Sequence, residues 1–185
     1  MFQRKLIKFC SPTLAGFKSG SLFKFKDNIL LSTDIILAQY NNKYNDRDLF
    51  FFNVLKRKNY SLIYVYRPSL LIKDLSNVDV CTFLKSYGYK LDNLDNDLNH
   101  LKHRFEIFQK TPHEVGLFLG YPFCDVKGFI DNNGKNYEYC GCWKVYDNKE
   151  RTIMYFNKCK YYTNLYCKLF DLGIPLDKLI QKNNL

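Results

Sequence analysis

The sequence lacks any apolar run of the length that a membrane-spanning helix needs, which is about 20 residues. Charged or amide side chains interrupt every apolar stretch well before that length. The first ten residues, MFQRKLIKFC, carry charges where a signal peptide has a continuous apolar core. We therefore expect a soluble, cytoplasmic protein without a membrane partner.

The sequence also lacks the motifs that most often reveal an enzyme. It contains no GxxxxGK[ST], GxGxxG or GxSxG pattern. The segment GFKSG at 16–20 resembles a phosphate loop only in its glycines, because no strand precedes it and no Gly-Lys ends it. These absences exclude the commonest nucleotide-binding and hydrolase classes. They imply no particular cofactor and leave open whether the protein is an enzyme.

Acidic residues are scarce relative to basic ones, with 18 Asp and Glu against 28 Lys and Arg and a net charge of +10. Such a surplus suits an anionic partner such as nucleic acid. The lysines, however, are scattered and form no block of five or six like charges. A solvated basic surface is the favoured interpretation, and a nucleic-acid or acidic-partner module is the alternative.

Seven cysteines with irregular spacing favour buried thiols over a disulfide framework. Cys140 and Cys142 stand closer together than the usual zinc pair, and no second pair has the right spacing. We therefore predict no metal site. A thiol-based redox or metal-handling protein remains a second alternative, and its metal site would need three of four thiols to meet: Cys10, Cys140, Cys142 and Cys159.

The 185 residues, 46% of them apolar and 17% aromatic, suffice for one domain with a core of its own. No repeat or linker divides the chain, so a single domain over 1–185 is expected. The first 26 residues are predicted to be an irregular segment packed on that domain, with one short helical turn near 11–16.

Two neighbouring apolar runs, 49–55 and 60–67, predict an antiparallel hairpin, and 137–146 alternates like a third strand. The run at 60–67 is apolar at nearly every position, which indicates a central strand covered on both faces. Periodicity and capping residues predict helices over 27 or 28–44, 69–75, 76–87, 92–108, 112–120, 124–131, 148–172 and 176–180. The fold class is therefore α+β (mixed α/β), with a small, largely antiparallel sheet of three or four strands covered by several helices.

The segment TPHEVGLFLGYPFCD at 111–125 carries the strongest candidate site. Two short helices meet there, so backbone N–H groups can face one crevice that suits an anion. His113 could serve as acid, base or ligand. Thr111 and Glu114 also match a capping box, which is a purely structural role. Arg67, at the end of a buried strand, could hold a carboxylate or phosphate or could pair with a structural acid.

Five segments together resemble an uncharacterised bacterial family, the domain of unknown function 3793. They are CSPTLAG at 10–16, IYVYRP at 63–68, PHEVGLFLGYP at 112–122, DVKGFI at 125–130 and GCWKVY at 141–146. One departure is Cys142, where the family's pattern has Tyr. The resemblance implies a single-domain soluble protein and no established reaction.

We therefore predict a small-molecule or cofactor-binding domain, with an anionic ligand and enzymatic activity both left open. The pocket is expected between the helix at 112–120 and the sheet, with Arg67, His113 and Lys144 converging in one cleft. The sequence identifies neither the ligand nor the oligomeric state. The candidate ligand-binding residues are Cys10, Arg67, His113, Glu114, Tyr121 and Lys144.

Overall fold

The computed structural model describes residues 2–26, 32–108 and 111–182. The elements are, in chain order, α1 (Phe2–Leu14), β1 (Gly20–Phe25), α2 (Thr33–Tyr44), β2 (Phe50–Arg57), β3 (Tyr60–Tyr66), α3 (Pro68–Leu75), α4 (Val78–Ser86), α5 (Leu94–Phe108), α6 (Val115–Phe118), α7 (Phe123–Asp131), β4 (Tyr139–Cys140), β5 (Lys144–Val145), α8 (Lys149–Asp171) and α9 (Leu176–Leu179). The predicted α+β class is confirmed, because helices surround a small antiparallel sheet.

β3 is the central strand of a three-stranded antiparallel sheet with the order β1-β3-β2. The predicted hairpin is confirmed, although its turn is shortened to Lys58 and Asn59 because β2 runs on to Arg57. Side chains alternate along β3, so Ile63 and Val65 enter one core while Tyr64 and Tyr66 enter the other. The strand is therefore buried on both faces, as its apolar sequence predicts.

Two apolar cores lie on opposite faces of this sheet. The first contains residues from α1 and α2 together with the C-terminal part of α8 and with α9. The second is built from helices α3 to α7. The amino-terminal and carboxy-terminal parts of the chain thus contribute to the first core, while the middle of the chain forms the second.

The prediction that the first 26 residues are irregular is wrong, since they form α1 and the edge strand β1. Pro12 stands inside α1, where it supplies no amide hydrogen to the preceding turn, and the helix ends two residues later at Leu14. A helical stripe is present and buried: Phe2, Leu6, Ile7, Cys10 and Leu14.

Three other boundaries differ from the sequence predictions. The expected cap of α2 at Asp27 or Asn28 lies outside the described residues; the described helix follows Ser32, whose hydroxyl accepts from the Asp34 amide. The cap of α4 is Asn77 rather than Ser76. The strand over 137–146 is instead a hairpin of two short strands, β4 and β5, because the Gly141 amide donates to the Trp143 carbonyl and turns the chain.

The long C-terminal helix α8 is confirmed, with 23 residues and Asn148 as its cap. Asn148 has a positive φ of 50° and accepts from the Arg151 amide. No helix in the three described ranges combines the length and apolar character needed to cross a lipid bilayer.

Arg67, at the end of β3, joins four separate parts of the chain. Its side chain is fully buried and donates to the carbonyls of Thr13 (2.5 Å), Arg47 (3.1 Å), Leu14 (2.7 Å) and Gln181 (2.8 Å). Burial lowers the pKa of this guanidinium, and the Asp48 carboxylate opposes the shift. The planar fork therefore ties the end of α1 to the backbone at Arg47 and Gln181 through charge-assisted hydrogen bonds.

We predict that Arg67→Lys lowers the free energy of unfolding by at least about 3 kcal/mol, because two or more buried carbonyls lose a charge-assisted donor. Urea titration followed by far-UV circular dichroism measures this. Arg57→Lys at the exposed end of β2 is the matched control and should change the midpoint little. A loss below about 1 kcal/mol at Arg67 would contradict the structural role.

Candidate functional site

The structure separates the six candidate residues into two groups. Arg67 does not share a cleft with His113 and Lys144, because its donors are engaged by backbone carbonyls on the far side of the sheet. Cys10 is fully buried in the first core, where burial raises the pKa of its thiol. The expected convergence of Arg67 with His113 and Lys144 is thus not what the fold produces.

Glu114 is engaged in a structural ion pair. Its buried carboxylate accepts from Arg104 Nε at 2.6 Å and from the Tyr89 hydroxyl at 3.3 Å. It occupies the N-cap position of α6 without making a side-chain cap bond, and Thr111 is exposed. The predicted capping box is therefore wrong, because Arg104 of α5 outcompetes the local backbone for this carboxylate.

The other three candidates, His113, Tyr121 and Lys144, line a cavity of about 290 Å³, called here the second cavity. The His113 ring lies 4.9 Å from the ring of Phe129. Lys144 Nζ donates to the Gly134 carbonyl at 2.6 Å. The fold brings these three together between α6, α7 and the β4–β5 hairpin, and their role in binding stays a prediction.

A larger cavity, about 580 Å³ and called here the first cavity, was missed by the sequence analysis. It lies between the C-terminal end of α3 and the beginnings of α4, α7 and α8. Its lining combines charged, amide and aromatic side chains: Lys73, Asp74, Asn77, Val80, Gly120, Pro122, Phe123, Cys124, Trp143, Asp147, Asn148, Arg151, Thr152 and Tyr155.

Three helices begin at the first cavity, and a helix N-terminus carries partial positive charge. Asn77 and Asn148 cap α4 and α8 with their own side chains. α7 begins after Pro122, which makes no side-chain cap bond. The first-turn amides of α7 thus receive no acceptor from their N-cap side chain, which leaves this helix end open to an anion.

Two carboxylates, Asp74 and Asp147, face the two cations of the first cavity, Lys73 and Arg151. Burial raises the pKa of Asp74, and Ser19 and Lys73 partly oppose this shift. Gly120 allows the close approach behind Asp74, since it has a φ of +68° and a Cβ there would lie 2.6 Å from Ser19 Oγ. Asp74 therefore becomes neutral at a higher pH than an ordinary aspartate does.

Trp143 lines both cavities and separates them. Its indole stacks on Tyr121 at 4.2 Å with 23° between the rings, and it meets Phe156 edge-on at 4.4 Å. Asp125, which is buried, accepts from Trp143 Nε1 at 2.7 Å and from the Tyr146 amide at 2.7 Å. One carboxylate of α7 thus fixes both the indole and the hairpin that carries it.

Lys18 lies next to the Tyr121 ring on which Trp143 stacks, with its Nζ 5.1 Å from the ring centroid. Burial lowers the pKa of its amine, and nearby thiols of Cys159, Cys10 and Cys142 oppose the shift. Burial raises the pKa of the Cys159 thiol to about 11, so this thiol is protonated at neutral pH.

All seven cysteines are free, and the expectation that most are buried is wrong: Cys124, Cys140 and Cys142 are exposed. Among the residues that the structure describes, no group of three or more His, Cys, Asp or Glu side chains is placed to hold a metal ion. The thiol arrangement that the metal-handling alternative requires is therefore not formed in that part of the chain.

The fold and cavities define a mixed α+β protein in which two pockets adjoin at Trp143. The chain belongs to the family described as "Protein of unknown function (DUF3793)", which it matches over residues 6–180. The resemblance noted in the sequence is thereby confirmed. No curated protein matches the chain, and no solved structure matches it.

We predict that Asp125→Asn displaces the indole of Trp143. The two carboxylate oxygens accept from different donors, the indole N–H and the Tyr146 amide. In asparagine an N–H₂ group, which cannot accept, replaces one of these oxygens, so one donor loses its acceptor. The expected result is a red-shifted tryptophan emission and a loss of about 1–3 kcal/mol in unfolding free energy. The chain has one tryptophan, so the emission reports this position alone.

The matched control is Asp131→Asn, which changes an exposed carboxylate at the other end of α7 that pairs with Lys127. Its emission should equal that of the unmodified protein. An unshifted emission in Asp125→Asn would show that the carboxylate does not position the indole.

Proposed function

We propose that this protein binds a small molecule with an anionic group and a planar apolar body, and that the first cavity holds it. The observation that carries this proposal is the meeting of three helix N-termini, one without a side-chain cap, with Arg151 at one cavity. A volume of about 580 Å³ falls within the range of small-molecule sites, which is about 300–1,000 Å³.

The anionic group is assigned to the side of the cavity where α7 begins. The first-turn amides of α7 supply directional donors, and Arg151 supplies a guanidinium that can make two parallel bonds. Lys73 adds a second positive charge at the end of α3. These groups offset the two carboxylates of the cavity, especially when Asp74 is neutral.

The planar body is assigned to the aromatic side of the same cavity. Trp143, Tyr155 and Phe123 line it, and aromatic faces stack favourably on flat ligands. Because Asp125 and Tyr121 hold the indole in place, this surface is preorganised and little ordering is needed on binding. His113, Tyr121 and Lys144 stay candidates for a second binding position on the other side of Trp143.

We predict that benzenesulfonate, a flat ring with a permanently ionised group, changes the tryptophan emission in a saturable way. Arg151→Gln should weaken this binding about tenfold, because one charge-assisted contact is worth about 1.5–3 kcal/mol. Fluorescence titration with selective tryptophan excitation measures the dissociation constant, and benzyl alcohol serves as the uncharged probe.

Arg57→Gln, which removes an exposed guanidinium of β2 from the far end of the sheet, is the matched control and should bind like the unmodified protein. Equal weakening by Arg57→Gln and Arg151→Gln would attribute binding to net charge. No saturable change with benzenesulfonate would reject the proposal for this cavity.

We predict that the affinity for benzenesulfonate rises as the pH falls through the raised pKa of Asp74. The sulfonate stays ionised, whereas protonation of Asp74 removes a negative charge from the cavity wall. Asp74→Asn should bind about threefold more tightly at neutral pH and should flatten the pH profile, since one partly exposed charge is worth up to about 1 kcal/mol. Asp95→Asn, exposed in the first turn of α5, is the control. An unchanged profile in Asp74→Asn would contradict this role.

A further inference from the structure

Another concave surface, which shares no lining residue with the first cavity, lies where α1 packs against the edge strand β1. It is a groove of about 560 Å³, called here the lysine groove. Its described lining consists of three lysines, three aromatic rings and three other residues: Lys5, Lys24, Lys26, Phe9, Phe23, Tyr60, Leu22, Asn59 and Leu62. None of these described lining residues is acidic.

The lysines of the groove are not neutralised by the acids that the structure describes. Lys5 donates to the Lys24 carbonyl at 3.0 Å, and Lys24 Nζ lies 3.7 Å from the Tyr60 ring centroid. Lys8, one residue before Phe9, adds a fourth ammonium 5.6 Å from the Phe9 ring. Several positive charges thus follow one edge of the sheet over a short distance, which produces a local field suited to a chain of anions.

The aromatic rings are placed where a flat group can reach them. The apolar side chain of Phe9 is 47% exposed. Its ring is nearly parallel to the Phe23 ring, with 6.4 Å between the two ring centroids. The Phe9 ring thus lies in the groove with Lys5 and next to the Lys8 ammonium. A half-exposed ring flanked by ammonium groups can stack an unpaired base while the phosphates of the strand meet the lysines.

We propose that the lysine groove binds single-stranded nucleic acid, with a base stacked on Phe9 and phosphates held by Lys5, Lys24 and Lys26.

Lysines at a sheet edge also prevent edge-to-edge association. That role does not require an exposed phenylalanine, which by itself would favour association. The interleaving of rings and ammonium groups therefore favours a polyanion with flat side groups over a purely protective edge.

The test measures binding of a fluorescein-labelled oligodeoxythymidylate of about 12 nucleotides by fluorescence anisotropy over a series of salt concentrations. The groove variant carries Lys5→Gln, Lys24→Gln and Lys26→Gln together. The matched control carries Lys85→Gln, Lys160→Gln and Lys168→Gln, three exposed lysines with the same change in net charge. Phe9→Ala is compared with Phe108→Ala, an equally exposed phenylalanine of α5.

We expect the groove variant to lose at least tenfold in affinity and to lower the slope of log affinity against log salt by about 2, since each phosphate contact to a single strand contributes about 0.7. Phe9→Ala should lose about fivefold or more. The control variants should bind nearly as the unmodified protein does, and far-UV circular dichroism checks that each variant is folded. Benzenesulfonate binding in the first cavity should be unchanged in all of them.

Three outcomes would overturn the proposal. Equal losses in the groove variant and the remote lysine variant would attribute binding to net charge. Full affinity in Phe9→Ala would exclude stacking in the groove. Retention on phosphatidylserine vesicles that needs the groove lysines, without oligonucleotide binding, would assign the groove to a membrane surface instead.

Discussion

The guanidinium of Arg67 lies where backbone carbonyl oxygens from three chain segments meet. The end of α1 contributes two of these oxygens, and the turn after α2 and the segment after α9 contribute one each. Because a guanidinium presents several donors in one plane, it satisfies acceptors that approach from different directions. The register of β3 in turn places this side chain, so the sheet and the helices of the first core depend on one another through it.

The part of the molecule that contains the two cavities depends on a buried carboxylate, that of Asp125, much as the first core depends on a buried guanidinium. Asp125 accepts from the indole of Trp143 and from backbone amides of the chain after β5, so a hairpin of only two residues per strand is held against α7. Two such short strands would not be stable alone. The anchored indole then serves as a wall for both cavities, and the stacking of Tyr121 fixes its other face.

Local sequence signals predicted the elements that depend on local chemistry. The β2–β3 hairpin, α7 and α8 followed from apolar runs and caps, and β3 was identified as central from its continuous apolar sequence. The beginning of the chain was mispredicted although the buried residues of α1 recur at helical spacing, and Pro12 lies within this helix. Glu114 was mispredicted because its partner, Arg104, belongs to another helix and no spacing rule connects them. The first cavity was missed for the same reason, since Asp74, Trp143 and Arg151 are distant in sequence and only tertiary packing joins them.

The division of apolar residues between the two faces of the sheet has a consequence for the order in which the chain can fold during synthesis. The buried residues of the second core all lie between Val54 and Val126, whereas the first core also needs Tyr166, Leu176, Leu179 and Ile180. On the ribosome the second core can therefore assemble before the first core is complete. The stripe of α1 finds early partners in β1 and α2, since Phe2 packs on Phe23, Phe25 and Tyr40, but the side that the last helices cover stays open until they emerge, and exposed apolar surface of that kind favours aggregation of a nascent chain.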